Sequence, residues 1–174
     1  EYFQKKFPER FIEVGVAEQN MASLAAGFAL GGKIPFMSSY ATFSPGRNNE
    51  QIRTTIAINQ MNVKIGGAHA GISVGPDGAT HQALEDMALM RVMPNMKVIS
   101  PCDAIEARKA TVAAAFLEGP VYIRLARADT PLFTTEKTPF AFGKAEVFWE
   151  GKDVSIIACG PLLYEALLAA KKLE

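Results

Sequence analysis

Cysteine and histidine are scarce in this chain of 174 residues, with two of each. Cys102 and Cys159 are too few for a disulfide framework, and they lack the pair spacing of a metal site. Cys159 ends an apolar run, residues 154–159, that predicts a buried strand and therefore an inert core thiol. The cysteine content predicts a reducing, cytoplasmic location.

Net charge is also missing, because 18 Lys and Arg balance 18 Asp and Glu. A neutral chain has no general attraction for nucleic acid or for an anionic membrane surface. The longest run free of both charge and strong polarity, residues 21–32, is too short to cross a bilayer and predicts a buried helix. We therefore expect no nucleic-acid partner and no membrane partner.

The composition is that of a folded chain, with 49% apolar and 21% charged residues and no low-complexity tract. The first residue is Glu1 rather than methionine, and residues 1–10 do not have the pattern of a signal peptide. We therefore expect the chain to be a piece of a longer polypeptide.

Short apolar runs alternate with helical patterns along most of the chain. The pattern predicts strands at residues 11–14, 34–37, 63–68, 97–99 and 121–125. It predicts helices at residues 17–32, 51–58, 84–93 and 103–117, with Asp103 as the N-cap of the last. Such alternation is typical of an α/β fold with a doubly wound parallel sheet, in which ligands lie beyond the carboxyl ends of the strands.

The pattern changes after residue 128. Residues 1–128 form the first predicted domain, and residues 129–150, which contain prolines and threonines without apolar periodicity, form a predicted linker. Residues 151–174 then predict one βα unit, a strand at 154–159 and a helix at 162–173. One such unit cannot cover both faces of a sheet, so we interpret it as the incomplete start of a second α/β domain.

Glu18 is an acid in the first turn of an otherwise apolar helix. Acids are common there because they favour the positive end of the helix dipole, so its position alone does not favour a catalytic role.

Both histidines lie in one glycine-rich segment, between His69 and His81. Considered singly, each is typical of a surface histidine on an ordinary loop. However, the glycines allow the backbone to approach a ligand closely, and histidine exchanges protons near neutral pH. Because sugar hydroxyls and phosphates need such groups, the segment favours a functional interpretation.

Six motifs in order resemble the pyrimidine-binding domain of the transketolase family. They are residues 15–19 (GVAEQ), 40–43 (YATF), 69–82 (the two-histidine segment), 89–95 (LMRVMPN), 101–106 (PCDAIE) and 119–127 (GPVYIRLAR). The resemblance covers roughly residues 8–128 and continues into the start of the family's carboxy-terminal domain. It implies a fold in which the parallel sheet binds the pyrimidine part of thiamine diphosphate.

The resemblance implies three cofactor contacts. The glutamate that matches Glu18 hydrogen-bonds a ring nitrogen of the cofactor's aminopyrimidine and so activates the cofactor. Phe43 matches the aromatic residue that stacks on this ring, and Tyr40 matches the aromatic three residues earlier.

The resemblance also implies a substrate site. His69 matches a residue near the phosphate end of the sugar, Asp77 one that contacts a hydroxyl near the reacting carbon, and His81 one at the carbonyl end. We count both histidines, with Glu18, as catalytic. Arg127 matches an arginine that binds the substrate phosphate, for which a planar cation is suited.

The family's diphosphate and metal motif, Gly-Asp-Gly with an asparagine further downstream, is absent from the sequence. The tripeptide 76–78 (PDG) is only superficially similar and lacks the downstream asparagine. The resemblance therefore implies that a partner domain or subunit binds the diphosphate and its Mg²⁺ or Ca²⁺, and that this chain holds no metal. A homodimer or a heterotetramer is the expected assembly.

The expected activity is transfer of a two-carbon ketol unit between sugar phosphates, as in the pentose phosphate pathway. Residues 44–52 are similar to the separately encoded carboxy-terminal subunits of split transketolases. Three alternatives stay open: a 1-deoxyxylulose-5-phosphate synthase, against which His69 argues; a 2-oxoacid dehydrogenase beta subunit, which lacks the histidine segment; and a non-catalytic interaction subunit.

Overall fold

The computed structural model describes residues 2–174, so Glu1 lies outside the described residues. The helices are α1 (Tyr2–Lys6), α2 (Glu18–Leu30), α3 (Asn49–Gln51), α4 (Asp86–Arg91), α5 (Ala104–Phe116) and α6 (Leu162–Leu173). A π-helical segment, Ile52–Ala57, continues α3, and 3₁₀ turns lie at Pro8–Arg10, Gly75–Asp77 and Ala79–His81. Across residues 2–174, none of these helices has the length and apolarity that a membrane crossing requires.

Four strands form one parallel sheet. They are β1 (Phe36–Tyr40), β2 (Lys64–Ala68), β3 (Lys97–Ile99) and β4 (Val121–Arg124). Their order across the sheet is β1-β2-β4-β3, with Tyr40 opposite Ala68 and Gly67 opposite Arg124. Parallel neighbours need crossover connections, which the helices supply. The predicted parallel α/β fold is confirmed.

Helices cover both faces of the sheet, as β4 shows most clearly. Tyr122 packs into a core with Ala22, Ile52 and Met90, whereas Val121 on the opposite face packs against Ala110 and Ala114 of α5. Successive strand residues point to opposite faces, so one strand serves both cores.

A buried polar cluster ties α4 to β4. Tyr122 donates a 2.7 Å hydrogen bond to Asp86, and Nε of Arg124 donates to the same carboxylate at 3.0 Å. The Tyr122 ring reaches α4 by crossing Gly67 of β2, where an added Cβ would lie 2.1 Å from the tyrosine hydroxyl. Only glycine at this position leaves room for the crossing side chain.

Asp103 caps α5, as predicted, by accepting a 2.9 Å hydrogen bond from the Glu106 amide. The same carboxylate accepts three more hydrogen bonds, from the amides of Phe133 and Thr134 and from the Thr134 hydroxyl. Burial alone would raise the pKa of Asp103, but these hydrogen bonds hold it below its usual 3.8. Asp103 therefore fastens the segment after β4 to the start of α5.

The predicted βα unit near the end of the chain forms only in part. Its helix is present as α6, Leu162–Leu173. Residues 154–159 form no strand, and Cys159 is exposed, so the predicted buried strand and core thiol are wrong for the described chain. An extended segment becomes a strand only beside a hydrogen-bonding neighbour, and no strand among residues 2–174 pairs with it.

Two other strand predictions need correction. Residues 11–14 form no strand, because the described sheet ends at β1 and β3 and gives them no neighbour. The strand predicted at 34–37 lies at Phe36–Tyr40, two to three residues later, because the polar residues Ser38 and Ser39 belong to the parallel ladder with β2. The apolar run alone did not mark this strand's end.

Candidate functional site

The site lies at the carboxyl edge of the sheet. Tyr40 is the last residue of β1, His69 follows β2 directly, and Arg127 lies three residues beyond β4. Adjacent parallel strands end on the same side, so the topology itself gathers these side chains.

The Glu18 carboxylate is a buried charged group at this edge, with its side chain 8% exposed. Glu18 is the first residue of α2, and its Oε2 accepts a 3.0 Å hydrogen bond from Nη1 of Arg47. Its Oε1 accepts a longer one, 3.4 Å, from the Ser39 hydroxyl of β1. A carboxylate held this way can accept further hydrogen bonds from a ligand.

The turn after β1 fixes the position of Glu18. The buried Asn48 amide donates to the Glu18 carbonyl at 3.0 Å and to the Ser44 hydroxyl at 3.1 Å. Backbone and side chain of Glu18 are therefore both fastened to residues 39–48.

Four aromatic rings lie together beside this carboxylate. The Tyr40 ring is 4.0 Å from His69 and 6.2 Å from Phe43, centroid to centroid, and the Phe43 ring is 5.2 Å from His81. The structure thus brings four predicted site residues into one cluster, although they come from two segments of the chain, residues 40–43 and the two-histidine segment.

His69 has two unusual features. Its φ of +54° lies in the left-handed region, which residues other than glycine rarely adopt. Its Nδ1 is buried and has no hydrogen-bond partner among the described residues. Buried polar atoms are normally paired, so an unpaired nitrogen here is an exception. Strain and an unpaired polar atom together are typical of a functional residue.

The segment between the histidines forms a folded loop. An antiparallel bridge joins Gly71 to Ala83 at its base, and the Thr42 hydroxyl donates a 2.8 Å hydrogen bond to the His81 carbonyl. The Thr80 hydroxyl lies 2.9 Å from Nδ1 of His81, which orients the ring. The loop therefore holds His81 against the turn that carries Phe43.

Asp77 and Arg127 form a separate pair on the outer side of the same loop. Nη1 of Arg127 lies 3.1 Å from Asp77 and also donates to the Val74 carbonyl. Both side chains are partly exposed, at 39% for Arg127 and 35% for Asp77. The structure does not bring this pair into contact with the aromatic cluster.

Ser39, Arg47 and Asn48 were missed by the sequence analysis. None belongs to a quoted family motif, and their contacts with Glu18 span 21 to 30 residues of sequence. Residues 44–52 are predicted only to be similar to the subunits of split transketolases, and the folded chain shows that Arg47 and Asn48 of this stretch contact Glu18.

The residues present fit an aminopyrimidine. The Arg47 guanidinium, a flat group with N–H donors, already lies 4.5 Å from the centre of the Phe43 ring while it contacts Glu18. The ring face and the carboxylate can therefore hold one planar hydrogen-bonding group together. Among residues 2–174, no cluster of three or more His, Cys, Asp or Glu side chains could hold a metal ion.

The model of the transketolase pyrimidine-binding domain matches residues 1–131 of the chain. A putative transketolase C-terminal section from Methanocaldococcus jannaschii is 47% identical over 174 residues, covering 99% of this chain and 55% of that protein. The 6-deoxy-6-sulfo-D-fructose transketolase subunit SqwH from Clostridium sp. (strain MSTE9) is 42% identical, covering 98% and 53%. Human transketolase is 40% identical, covering 100% and 28%.

Solved structures agree with these relatives. A split gene transketolase, described as an inactive beta4 tetramer, superposes with a TM-score of 0.90 at 50% identity, covering 98% of this chain and 55% of that one. Transketolase from Campylobacter jejuni gives a TM-score of 0.63 at 30% identity, covering 72% and 21%. The chain spans about half the length of the split relatives that it matches.

Proposed function

Because the chain belongs to the transketolase family, through its pyrimidine-binding domain, we propose that it supplies the aminopyrimidine half-site of a thiamine diphosphate-dependent transketolase. The observation that carries this proposal is the buried Glu18 carboxylate, which shares one planar partner with the Phe43 ring. A stacking face, and a fixed carboxyl group that can share a proton with a ring nitrogen, are what an aminopyrimidine needs.

When bound, thiamine diphosphate supplies the carbon that attacks the carbonyl group of the donor sugar. Glu18 holds a proton at a pyrimidine ring nitrogen, and the Ser39 hydroxyl and the Asn48 amide keep its side chain and backbone in place. Phe43 orients the ring by stacking, and Tyr40 packs behind it against His69.

The two histidines and the outer ion pair make up the proposed substrate site. We assign His69, whose buried Nδ1 has no hydrogen-bond partner among the described residues, to a sugar oxygen. His81, which is oriented beside Phe43, is assigned to proton exchange at the carbonyl end. Arg127 binds the substrate phosphate and Asp77 a hydroxyl, which requires substrate to take over part of their mutual contact.

A second domain or subunit must complete the site, since the diphosphate motif is absent from this sequence. We propose that this partner binds the diphosphate with Mg²⁺ or Ca²⁺, in a dimeric or heterotetrameric assembly in the cytoplasm. Support comes from the split relatives, two of which are named as a section or a subunit, and from the related beta4 tetramer, which is described as inactive.

The test is reconstitution of the full chain with its diphosphate-binding partner. Xylulose 5-phosphate and ribose 5-phosphate should give sedoheptulose 7-phosphate, and neither subunit should do so alone. Consumption of pyruvate with glyceraldehyde 3-phosphate would instead support a 1-deoxyxylulose-5-phosphate synthase. Turnover by this chain without a partner would contradict the half-site proposal.

A further inference from the structure

Arg47 makes both contacts that the proposed function reserves for the cofactor. Its Nη1 donates to Oε2 of Glu18 at 3.0 Å, and its guanidinium carbon lies 4.5 Å from the centre of the Phe43 ring. A single side chain therefore covers the buried carboxylate and the aromatic face at the same time.

The guanidinium resembles an aminopyrimidine in the features that these two residues recognise. Both groups are flat and delocalised, and a pyrimidine ring nitrogen presents an N–H to Glu18, as the guanidinium does, when it carries the proton that Glu18 holds there. A ring that stacked on Phe43 and hydrogen-bonded Glu18 would need the volume that the guanidinium fills. Arg47 and the ring cannot occupy that volume together.

We propose that Arg47 is a built-in competitor of the cofactor: it fills the aminopyrimidine position in the unliganded chain and leaves when the ring enters. This inference rests on the proposed function, because it assumes that the ring binds between Glu18 and Phe43. In this proposal, Arg47 is a positioning residue that sets the affinity of the site for the cofactor.

The surroundings of Arg47 allow its side chain to leave without unfolding the turn. The side chain is 47% exposed, whereas that of Glu18 is 8% exposed, so the arginine closes the site from the solvent side. Its amide donates to the Phe43 carbonyl at 3.0 Å, and its neighbour Asn48 is buried and bonded to Glu18. Rotation about the side-chain bonds therefore opens the site while the backbone stays in place.

The competition should be measurable but modest. A half-exposed ion pair and a cation–π contact are each weak in water. Removing both should tighten binding of the cofactor by about three- to tenfold, because the ring no longer displaces a partner of Glu18.

The experiment is a calorimetric titration of thiamine diphosphate with Mg²⁺ into the reconstituted complex of the full chain and its diphosphate-binding partner. Arg47→Ala should lower the dissociation constant, and Arg47→Lys, which keeps the charge but loses the planar fork, should give a smaller decrease. Arg47→Gln replaces the alanine variant if the latter does not fold. Arg53→Ala removes a nearby exposed arginine and should leave the constant unchanged.

Three results would overturn the inference. If wild type binds the cofactor and Arg47→Ala binds it equally or more weakly, Arg47 does not compete, while the proposed function stands. If the wild-type complex binds no thiamine diphosphate at all, the proposed function fails and the inference fails with it. If Arg53→Ala lowered the dissociation constant as much as Arg47→Ala, the effect would come from the loss of a positive charge in general. That result would also overturn the inference.

Discussion

The hydroxyl of Tyr122 donates a 2.7 Å hydrogen bond to the carboxylate of Asp86, and both residues are fully buried. This bond joins the central strand β4 to α4, the helix that follows the two-histidine loop. Arg124, two residues after Tyr122 on β4, forms an ion pair with the same carboxylate through its Nε. The loop that carries His69 and His81 is therefore anchored at its far end by a buried charge.

Tyr122→Phe should lower the free energy of unfolding by about 1–3 kcal/mol, because it removes one of the two hydrogen bonds that Oδ2 of the buried Asp86 carboxylate accepts. The change removes a single hydroxyl and leaves no large cavity. Urea unfolding measures the difference, and Tyr2→Phe is the matched control, since Tyr2 is 94% exposed. Equal stability of the two variants would show that the buried bond contributes nothing net.

Asp103→Asn should remove a pH-dependent part of the stability. Hydrogen bonds lower the pKa of Asp103 in the folded chain below 3.8, so the folded state binds this proton less readily than the unfolded state. Its contribution is complete above about pH 5 and is lost as the pH falls through the folded pKa. The variant should lose about 1–2 kcal/mol at pH 7.

The acid limb of the stability curve measures this effect. Urea midpoints between pH 7 and pH 3 should converge for Asp103→Asn and wild type, because protonation removes in wild type what the substitution has already removed. A constant gap between the two curves at all pH values would contradict the assignment. Asp153→Asn, at an exposed position, is the control.

Much of the fold could be predicted because the signals are local. The strand at 97–99, the cap of α5 and the helix at 162–173 follow from apolar runs, turn residues and one capping aspartate. Residues 11–14 and 154–159 have the same local pattern but form no strand, because a strand also requires a neighbour. That requirement is tertiary and has no signature in a short window.

The candidate site, like the fold, could be predicted only in part. Tyr40 and His69 are in contact because parallel strands end at the same edge of the sheet. Both residues belong to family motifs, so the sequence predicted them as site residues. The contact of Arg47 with Glu18 could not be predicted, because it depends on how the turn after β1 folds back over α2. The roles of the site residues in binding and catalysis stay predictions until variants are measured.

Cys102 and Cys159 should differ sharply in reactivity. Cys102 is buried, and burial, together with a hydrogen bond to Glu106, raises the pKa of its thiol well above 9. Cys159 is exposed. Iodoacetamide at pH 8 should label Cys159 in the folded chain and Cys102 only after unfolding in urea, as peptide mass mapping would show. Labelling of Cys102 at the same rate without urea would contradict its burial.

Glu18→Gln should lower turnover by the reconstituted enzyme by about 10²–10⁴, because the amide cannot hold the proton that the carboxylate holds. The side chain keeps its size, so unfolding by urea should change little. Glu50→Gln, an exposed change on α3, serves as the control. Near-normal turnover by Glu18→Gln would remove Glu18 from the proposed catalytic group.

Arg127→Gln should weaken selectively the use of phosphorylated substrates. A charge-assisted hydrogen bond to phosphate contributes about 1.5–3 kcal/mol, so kcat/KM for ribose 5-phosphate should fall about 10- to 100-fold, while that for unphosphorylated ribose should change little. Stability should also change little, because the Arg127–Asp77 pair is partly exposed. Arg108 of α5 forms a similar exposed ion pair with Glu136. Arg108→Gln removes this pair and should leave kcat/KM unchanged for both substrates. An equal loss with ribose and ribose 5-phosphate would mean that Arg127 acts through the fold of the loop rather than through the phosphate.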